Sequence, residues 1–251
     1  MDMINVEHHE KVAILRLNNG VTNPLNLEFL EEISKNLKKL KQDPSVRSVV
    51  VTSANDKFFS IGFDIPKLYD LSREEVSIFY QAYNRVCMDL YTFPKPTIAA
   101  ITGHAIAGGC ILTLCCDLRF IAEGKKLMGL NEIKLGVPVP YPGDRILTQL
   151  VGTRYASDIM NSGEFYSTSE QLRMGMVDFV LPLKQVVPES IDRIRIMGAM
   201  PNEGFRMIKR NRVEPVEEQV FANLAEKEQY FLGCWFSDEA RKRLKEAISK
   251  F

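Results

Sequence analysis

The stretch Lys95–Gly143, KPTIAAITGHAIAGGCILTLCCDLRFIAEGKKLMGLNEIKLGVPVPYPG, joins an apolar run, a glycine corner, a short apolar helix and an isolated acid in one continuous piece. Thr97-Ile98-Ala99-Ala100-Ile101 follows Pro94 and Pro96 and stops at Thr102-Gly103, the pattern of a short buried strand. Ala107-Gly108-Gly109-Cys110 then turns the backbone with two adjacent residues that lack a Cβ. Ile111 to Cys116 continues as an apolar segment that suits the start of a buried helix. A helix that begins at a glycine pair presents unbonded peptide N–H groups, which hold a phosphate or a carbonyl oxygen that turns negative during reaction. A tight packing corner that binds nothing has the same sequence signature.

Working toward the N-terminus, Val46 to Thr52 contains Val49-Val50-Val51, apolar on both faces and therefore suited to a central parallel strand. Ile4 to His8 and Val12 to Leu17 read as a hairpin. Between them and Val46, Leu27, Leu30, Ile33, Leu37 and Leu40 recur with helical period, with Asn26 as N-cap and Asp43-Pro44 as the stop. Phe58-Phe59-Ser60-Ile61-Gly62-Phe63-Asp64 is a second glycine-containing corner. Ser72-x-x-Glu75 is a capping box for a helix through Val76, Phe79, Tyr80, Tyr83, Cys87 and Leu90.

Toward the C-terminus, Leu118 to Ala122 and Lys126 to Leu130 read as strands, and Gly136 to Gly143, with three prolines, as a loop without regular structure. Helices are expected over Asp144 to Ser162 and Ser167 to Met174, and a last strand over Val177 to Leu181. Beyond Pro188 only helical periodicity remains, with breaks at Pro201 and Pro215. The alternation predicts an α/β fold with residues 1–187 as its core and 188–251 as a helical second lobe or oligomer-forming arm.

In 251 residues, 45% hydrophobic and 25% charged, Lys+Arg and Asp+Glu both number 32. That balance gives no reason to expect a nucleic-acid or membrane-surface partner. Five cysteines in mostly apolar surroundings, without paired C-x-x-C spacing, read as buried free thiols of a reducing compartment rather than as a metal site. No segment has the uninterrupted apolar length of a bilayer span, so a cytoplasmic protein is expected, with a mitochondrial or peroxisomal one left open. Gly103-x-x-x-x-Gly108 has P-loop spacing but continues Gly109-Cys110 instead of Lys and Ser/Thr. His8, His9 and His104 form no H-E-x-x-H, and Ser60 lacks the glycines of a nucleophile elbow.

Taken together, Phe59–Asp64, Gly103–Cys110, Cys116-Asp117, Glu132–Gly136 and Gly175–Asp178 resemble, in order and over nearly the whole chain, the enoyl-CoA hydratase/isomerase (crotonase) superfamily. The resemblance implies a crotonase-like spiral of β-β-α units with a helical C-terminal region that builds a homotrimer or a dimer of trimers. It implies an acyl-CoA thioester substrate, coenzyme A being part of that substrate and no cofactor being permanently bound. By position the thioester oxygen would rest on the peptide N–H groups of Phe63 and Gly108. Ser60, Gly62, Asp64, Lys67 and Lys209, with Arg210, become candidates for the CoA side of the pocket.

Hydratases of this family use two glutamates. Ile111 stands at the first position and cannot hold water, whereas Glu132 stands at the second. One carboxylate takes a proton from C2 of a 3-enoyl thioester and returns it to C4 without adding water. The resemblance is accordingly closest to Δ3-Δ2-enoyl-CoA isomerases, with Glu132 as the catalytic base. Tyr141-Pro142-Gly143-Asp144-Arg145 replaces the family's Pro-Gly-x-Gly-Gly-Thr, which leaves the acyl preference open and Asp144 as either a second acid or a helix N-cap. An enoyl-CoA hydratase, and a non-catalytic CoA- or RNA-binding scaffold, are the rival readings.

Overall fold

A computed structural model describes residues 3–249, so residues 1, 2, 250 and 251 of the two expected regions lie outside the described residues. β1 (Ile4–His9) and β2 (Val12–Leu17) form the expected antiparallel hairpin. After β3 (Pro24–Leu25), α1 (Leu27–Gln42) starts at Asn26, whose side chain accepts the Phe29 N–H, and turns Leu30, Ile33, Leu37 and Leu40 inward.

The chain then repeats one excursion. β4 (Ser48–Ser53) leads to β5 (Phe58–Ser60), β6 (Gly62–Phe63), α2 (Ile65–Tyr69) and α3 (Arg73–Tyr91), the last starting at the Ser72/Glu75 capping box. β7 (Thr97–Ile101) leads to β8 (His104–Ile106) and α4 (Gly108–Leu114). β9 (Leu118–Ala122) leads to β10 (Met128–Gly129), a 3-10 turn over Glu132–Leu135, and α5 (Tyr141–Ser162). β11 (Phe165–Tyr166), α6 (Thr168–Met174) and β12 (Phe179–Leu181) follow. The first strand of each excursion joins a sheet ordered β1-β2-β4-β7-β9-β12, parallel beyond the hairpin, and the second joins a sheet ordered β11-β10-β8-β5. This is the spiral of β-β-α turns.

Both faces of the larger sheet are covered, which is why its strands lack polar alternation. Val49, Val51, Ala99 and Ile101 pack into the core with α1, α3 and α4. Val50, Ile98, Ala100 and Phe120 pack instead against Val186 and Ile194 of α7 (Leu183–Ala199). The expected boundary at residue 188 thus falls inside a helix that covers the sheet, with Pro188 in its early turns. α8 (Asn202–Trp235) and α9 (Asp238–Ile248) complete the chain.

Three expectations are corrected here. Part of the proline-rich loop is helical: α5 begins at Tyr141, and Pro142 occupies its first turn, where a missing N–H costs nothing. Asp144 therefore lies in that first turn and is not the N-cap, which is Pro140. Pro215 does not end a helix either, because α8 runs through it. α8 is held on the N-terminal side of Pro215 by Asp117, which accepts Lys209 Nζ at 2.8 Å, Thr97 N and Oγ1 each at 2.9 Å, and Arg212. Burial alone would raise the Asp117 pKa, but Lys209 and Arg212 outweigh it and keep the carboxyl below its usual range.

The glycine corner is packed backbone to backbone. A Cβ on Gly109 would stand 2.4 Å from the Ser60 carbonyl oxygen, whereas one on Gly204 of α8 would meet nothing within 4 Å. Gly109→Ala should therefore cost about 3 kcal/mol in denaturant unfolding, and Gly204→Ala should leave stability unchanged or raise it by up to about 1 kcal/mol. Asp117→Asn, which leaves Lys209 buried without its counter-charge, should lose about 3–5 kcal/mol in the same measurement.

Candidate active site

Where β6 ends and α4 begins, two corners meet. Gly62 adopts φ +91°, and a Cβ there would lie 3.0 Å from both Gly108 N and Ile106 O. Ser60 makes the corner: its hydroxyl donates to Asn23 O at 2.7 Å and accepts the Gly62 N–H at 3.1 Å. Asp64 N–H donates to Leu25 O, so Leu25 is the bonding member of the Leu25–Phe63 pair and the Phe63 N–H faces away from β3. On the other side, Ala107 is held at φ 49°, a conformation costly for a residue with a Cβ, and its N–H donates to Gly129 O at 2.9 Å. Tyr83 OH donates to Gly108 O at 2.9 Å, and a Cβ on Gly108 would come within 3.1 Å of the Phe63 ring.

A cavity of about 680 Å³ opens on this junction, with Phe63, Ala107 and Gly108 in its wall and Glu132 beside them. Glu132 is 6% exposed, and its Oε2 has no hydrogen-bond partner among the described residues. Burial pushes its pKa up to about 8. The position follows from the chain path, since β10 pairs with β8 in parallel and releases the chain into the 3-10 turn at Glu132. Ile111 is fully buried in the core, so close to α5 that a Cβ on Gly143 would stand 2.6 Å from its Cδ1. Asp144 is bonded to Arg145 and is not in the cavity wall. Glu246, a second carboxyl on the cavity lining, is exposed on α9.

The residues expected on the CoA side divide. Ser60, Gly62 and Asp64 build the corner from behind rather than line the cavity: Asp64 is the N-cap of α2 and accepts the Lys67 N–H at 3.4 Å. Lys67 is exposed, with Nζ 3.9 Å from Asp64, and borders a separate hollow of about 430 Å³. Lys209 is corrected outright: it is buried against Asp117, so it is no free cation at an entrance. Arg210 is engaged on the surface by Glu214 and Glu217. The cations that line the cavity are Lys134 and Arg243, neither anticipated from sequence, at 2.7 Å from Glu164 and 2.9 Å from Glu239. Also unanticipated is the aromatic wall that α8 contributes, Phe231 and Trp235.

His104 also borders the cavity, and its Nδ1 accepts the Leu127 N–H at 3.0 Å; burial, then Lys126 and Lys57, hold its pKa down, so the ring is a neutral structural acceptor. Among the described residues no group of three His, Cys, Asp or Glu side chains is placed to bind a metal ion, and no helix is long and apolar enough to cross a membrane. The arrangement offers one buried carboxyl with an unpartnered oxygen, a strained backbone corner and an apolar enclosure.

Comparison with known proteins bears on the family. The mouse mitochondrial enoyl-CoA delta isomerase 1 is 29% identical over 249 residues, covering 99% of this chain and 86% of that one. Crotonyl-CoA hydratase of Syntrophomonas wolfei is 33% identical over 187 residues, 74% of this chain and 72% of its own. The crystal structure of human mitochondrial delta3-delta2-enoyl-CoA isomerase superimposes with a TM-score of 0.95 at 28% identity, covering 99% of this chain and 97% of that one. The enoyl-CoA hydratase/isomerase family model matches residues 7–251, and the chain belongs to that family.

Proposed function

We propose that this protein shifts the double bond of a 3-enoyl-CoA to the 2-position, using Glu132 as the single proton carrier. The observation that carries the reading is the contrast between two positions: Glu132 is a buried carboxyl on the cavity with one oxygen unpartnered, while Ile111 is locked into the core. The thioester oxygen rests on the peptide N–H groups of Phe63 and Gly108. Glu132 carboxylate removes a proton from C2, and the electron pair moves onto that oxygen as an enolate conjugated with the C3–C4 double bond. The protonated Glu132 then gives its proton to C4, the double bond re-forms between C2 and C3, and the carboxylate is restored. Two donors fixed in the backbone suit this charge because they need no reorganisation as it develops; each such donor is typically worth about 2.7–4 kcal/mol.

A carboxyl with pKa near 8 suits a group that must act first as base and then as acid. Coenzyme A enters as part of the substrate. Exposed apolar side chains on α8, Ile208 and Phe221 among them, support the homotrimer expected from the resemblance. The rival is a hydratase, favoured by the similarity to crotonyl-CoA hydratase and by the presence of Glu246 on the cavity lining. In heavy-oxygen water, a 3-enoyl-CoA should become conjugated without label. Rapid formation of labelled 3-hydroxyacyl-CoA from a 2-enoyl-CoA would establish the rival instead.

Glu132→Gln should lower turnover about a thousandfold while acyl-CoA affinity, read by calorimetry, stays within a few fold. Equal loss of both would make Glu132 structural. The catalytic form is the carboxylate, so kcat/KM should rise about tenfold per pH unit up to about pH 8 and level off above it. Stability should run the other way. Between the ordinary 4.5 and about 8 the unfolded chain releases a proton that the folded chain keeps, so wild-type stability falls as pH rises through that window. Glu132→Gln should melt higher than wild type at pH 8, with the gap closing toward pH 5.

A further inference from the structure

We propose that Tyr83 is a positioning residue: from behind the cavity wall it fixes the direction in which the N–H groups of Gly108 and Phe63 meet the thioester oxygen; the inference rests on the acyl-CoA reading above. Tyr83 lies on α3, is fully buried and does not line the cavity. Its hydroxyl donates to Gly108 O at 2.9 Å. Its ring meets the Phe63 ring edge-on, with centroids 4.7 Å apart and planes at 81°. A Cβ on Gly108 would stand 3.1 Å from the Phe63 ring and 3.2 Å from that hydroxyl. One side chain therefore touches both residues whose N–H groups face the oxygen. Phe79, one turn earlier on the same helix, braces the Phe63 ring in the same edge-on way at 4.7 Å.

Gly108 needs such a hold. It has no Cβ to restrict its own dihedrals, and Ala107 before it sits at φ 49°, a conformation that costs free energy to keep. Relaxation of Ala107 would swing the peptide between the two residues and carry the Gly108 N–H away from the cavity. On one side that peptide is held by its own carbonyl, since Ala107 O accepts the Ile111 N–H at 3.0 Å. Ala107, at the N-cap of α4, has no polar side chain to cap the first turn. On the other side the hold is the Tyr83 bond to Gly108 O, which ties the start of a seven-residue helix to α3. Burial first, and then Cys87 and Cys115, keep the Tyr83 pKa well above its ordinary value, so the hydroxyl stays a donor. A carbonyl only accepts, so the hydroxyl proton is committed to Gly108 O, and Glu132 Oε2 has no partner among the described residues. Tyr83 acts through the backbone and not on the proton that Glu132 carries.

The test compares the full chain as wild type, Tyr83→Phe and Tyr80→Phe, each with hexanoyl-CoA labelled with carbon-13 at C1, a saturated analogue that does not react by the proposed chemistry. Infrared difference spectra read the thioester carbonyl stretch, which falls in frequency as hydrogen bonds to the oxygen strengthen. In wild type the band should lie below that of the free analogue in water. Tyr83→Phe keeps the ring against Phe63, and should lose at least half of that displacement while affinity stays within about threefold. It should also lower kcat for 3-hexenoyl-CoA about tenfold with KM little changed. Tyr80→Phe removes a buried hydroxyl three residues earlier on α3, and should leave the band and kcat at wild-type values. A Tyr83→Phe band equal to that of wild type, or a displacement lost equally in Tyr80→Phe, would overturn the inference. Unfolding of Tyr83→Phe where Tyr80→Phe folds, or loss of affinity in step with the band, would make Tyr83 structural and overturn it too. Failure of hexanoyl-CoA to bind wild type would overturn the acyl-CoA reading as well. A displaced band without conversion of 3-hexenoyl-CoA would remove the double-bond shift alone, and the band would still decide this inference.

Discussion

Between Gly109 and Ser60 there is no room for a methyl group, and the shape of the cavity depends on that contact. With the corner after β8 pressed against the end of β5, Gly62 comes within reach of Gly108, and the peptide groups of Phe63 and Gly108 border one space. Any side chain at Gly109 would separate the two corners. The strain of Ala107 is held in place by the same packing, through the bond from its N–H to Gly129 O and the Tyr83 hydroxyl on Gly108 O. Backbone positions fixed this way keep their direction when charge appears in front of them.

Glu132 shows the opposite economy. Its carboxyl is enclosed by apolar and backbone groups, with one oxygen unpartnered, and it is less stable as an anion than any exposed glutamate would be. That penalty is what raises its pKa to about 8, the range that the proposed proton transfer needs. Ile111, by contrast, contributes to stability in the ordinary way, filling the space beside Gly143. In the reading proposed above, the position of Glu132 serves chemistry and that of Ile111 serves packing.

Much of the fold was legible because its signals are local. The hairpin, the Asn26 cap, the Ser72/Glu75 capping box and the all-apolar strand at Val49–Val51 each depend on a few consecutive residues, and each has its structural counterpart. The glycine corners and Glu132 were legible as a series, because their order along the chain matches their order on the spiral. Lys209 was misread for the complementary reason: its partner, Asp117, is 92 positions away, and nothing near Lys209 announces it. Pro142 and Pro215 were read as breakers, but one lies where no N–H is needed and the other in a helix clamped from the side. Phe231, Trp235 and Arg243 carried no local mark, since their place on the cavity depends on how α8 and α9 dock.

The cavity is assembled from distant parts of the sequence: Ile61 and Phe63 from the first excursion, Gly108 and Glu132 from the next two, and Phe231 and Trp235 from near the end of α8. During synthesis the glycine corners and the acid emerge long before the wall that encloses them. Only when α8 docks on α3 does the cavity gain its aromatic side, so the enclosure is complete only once the C-terminal helices are in place.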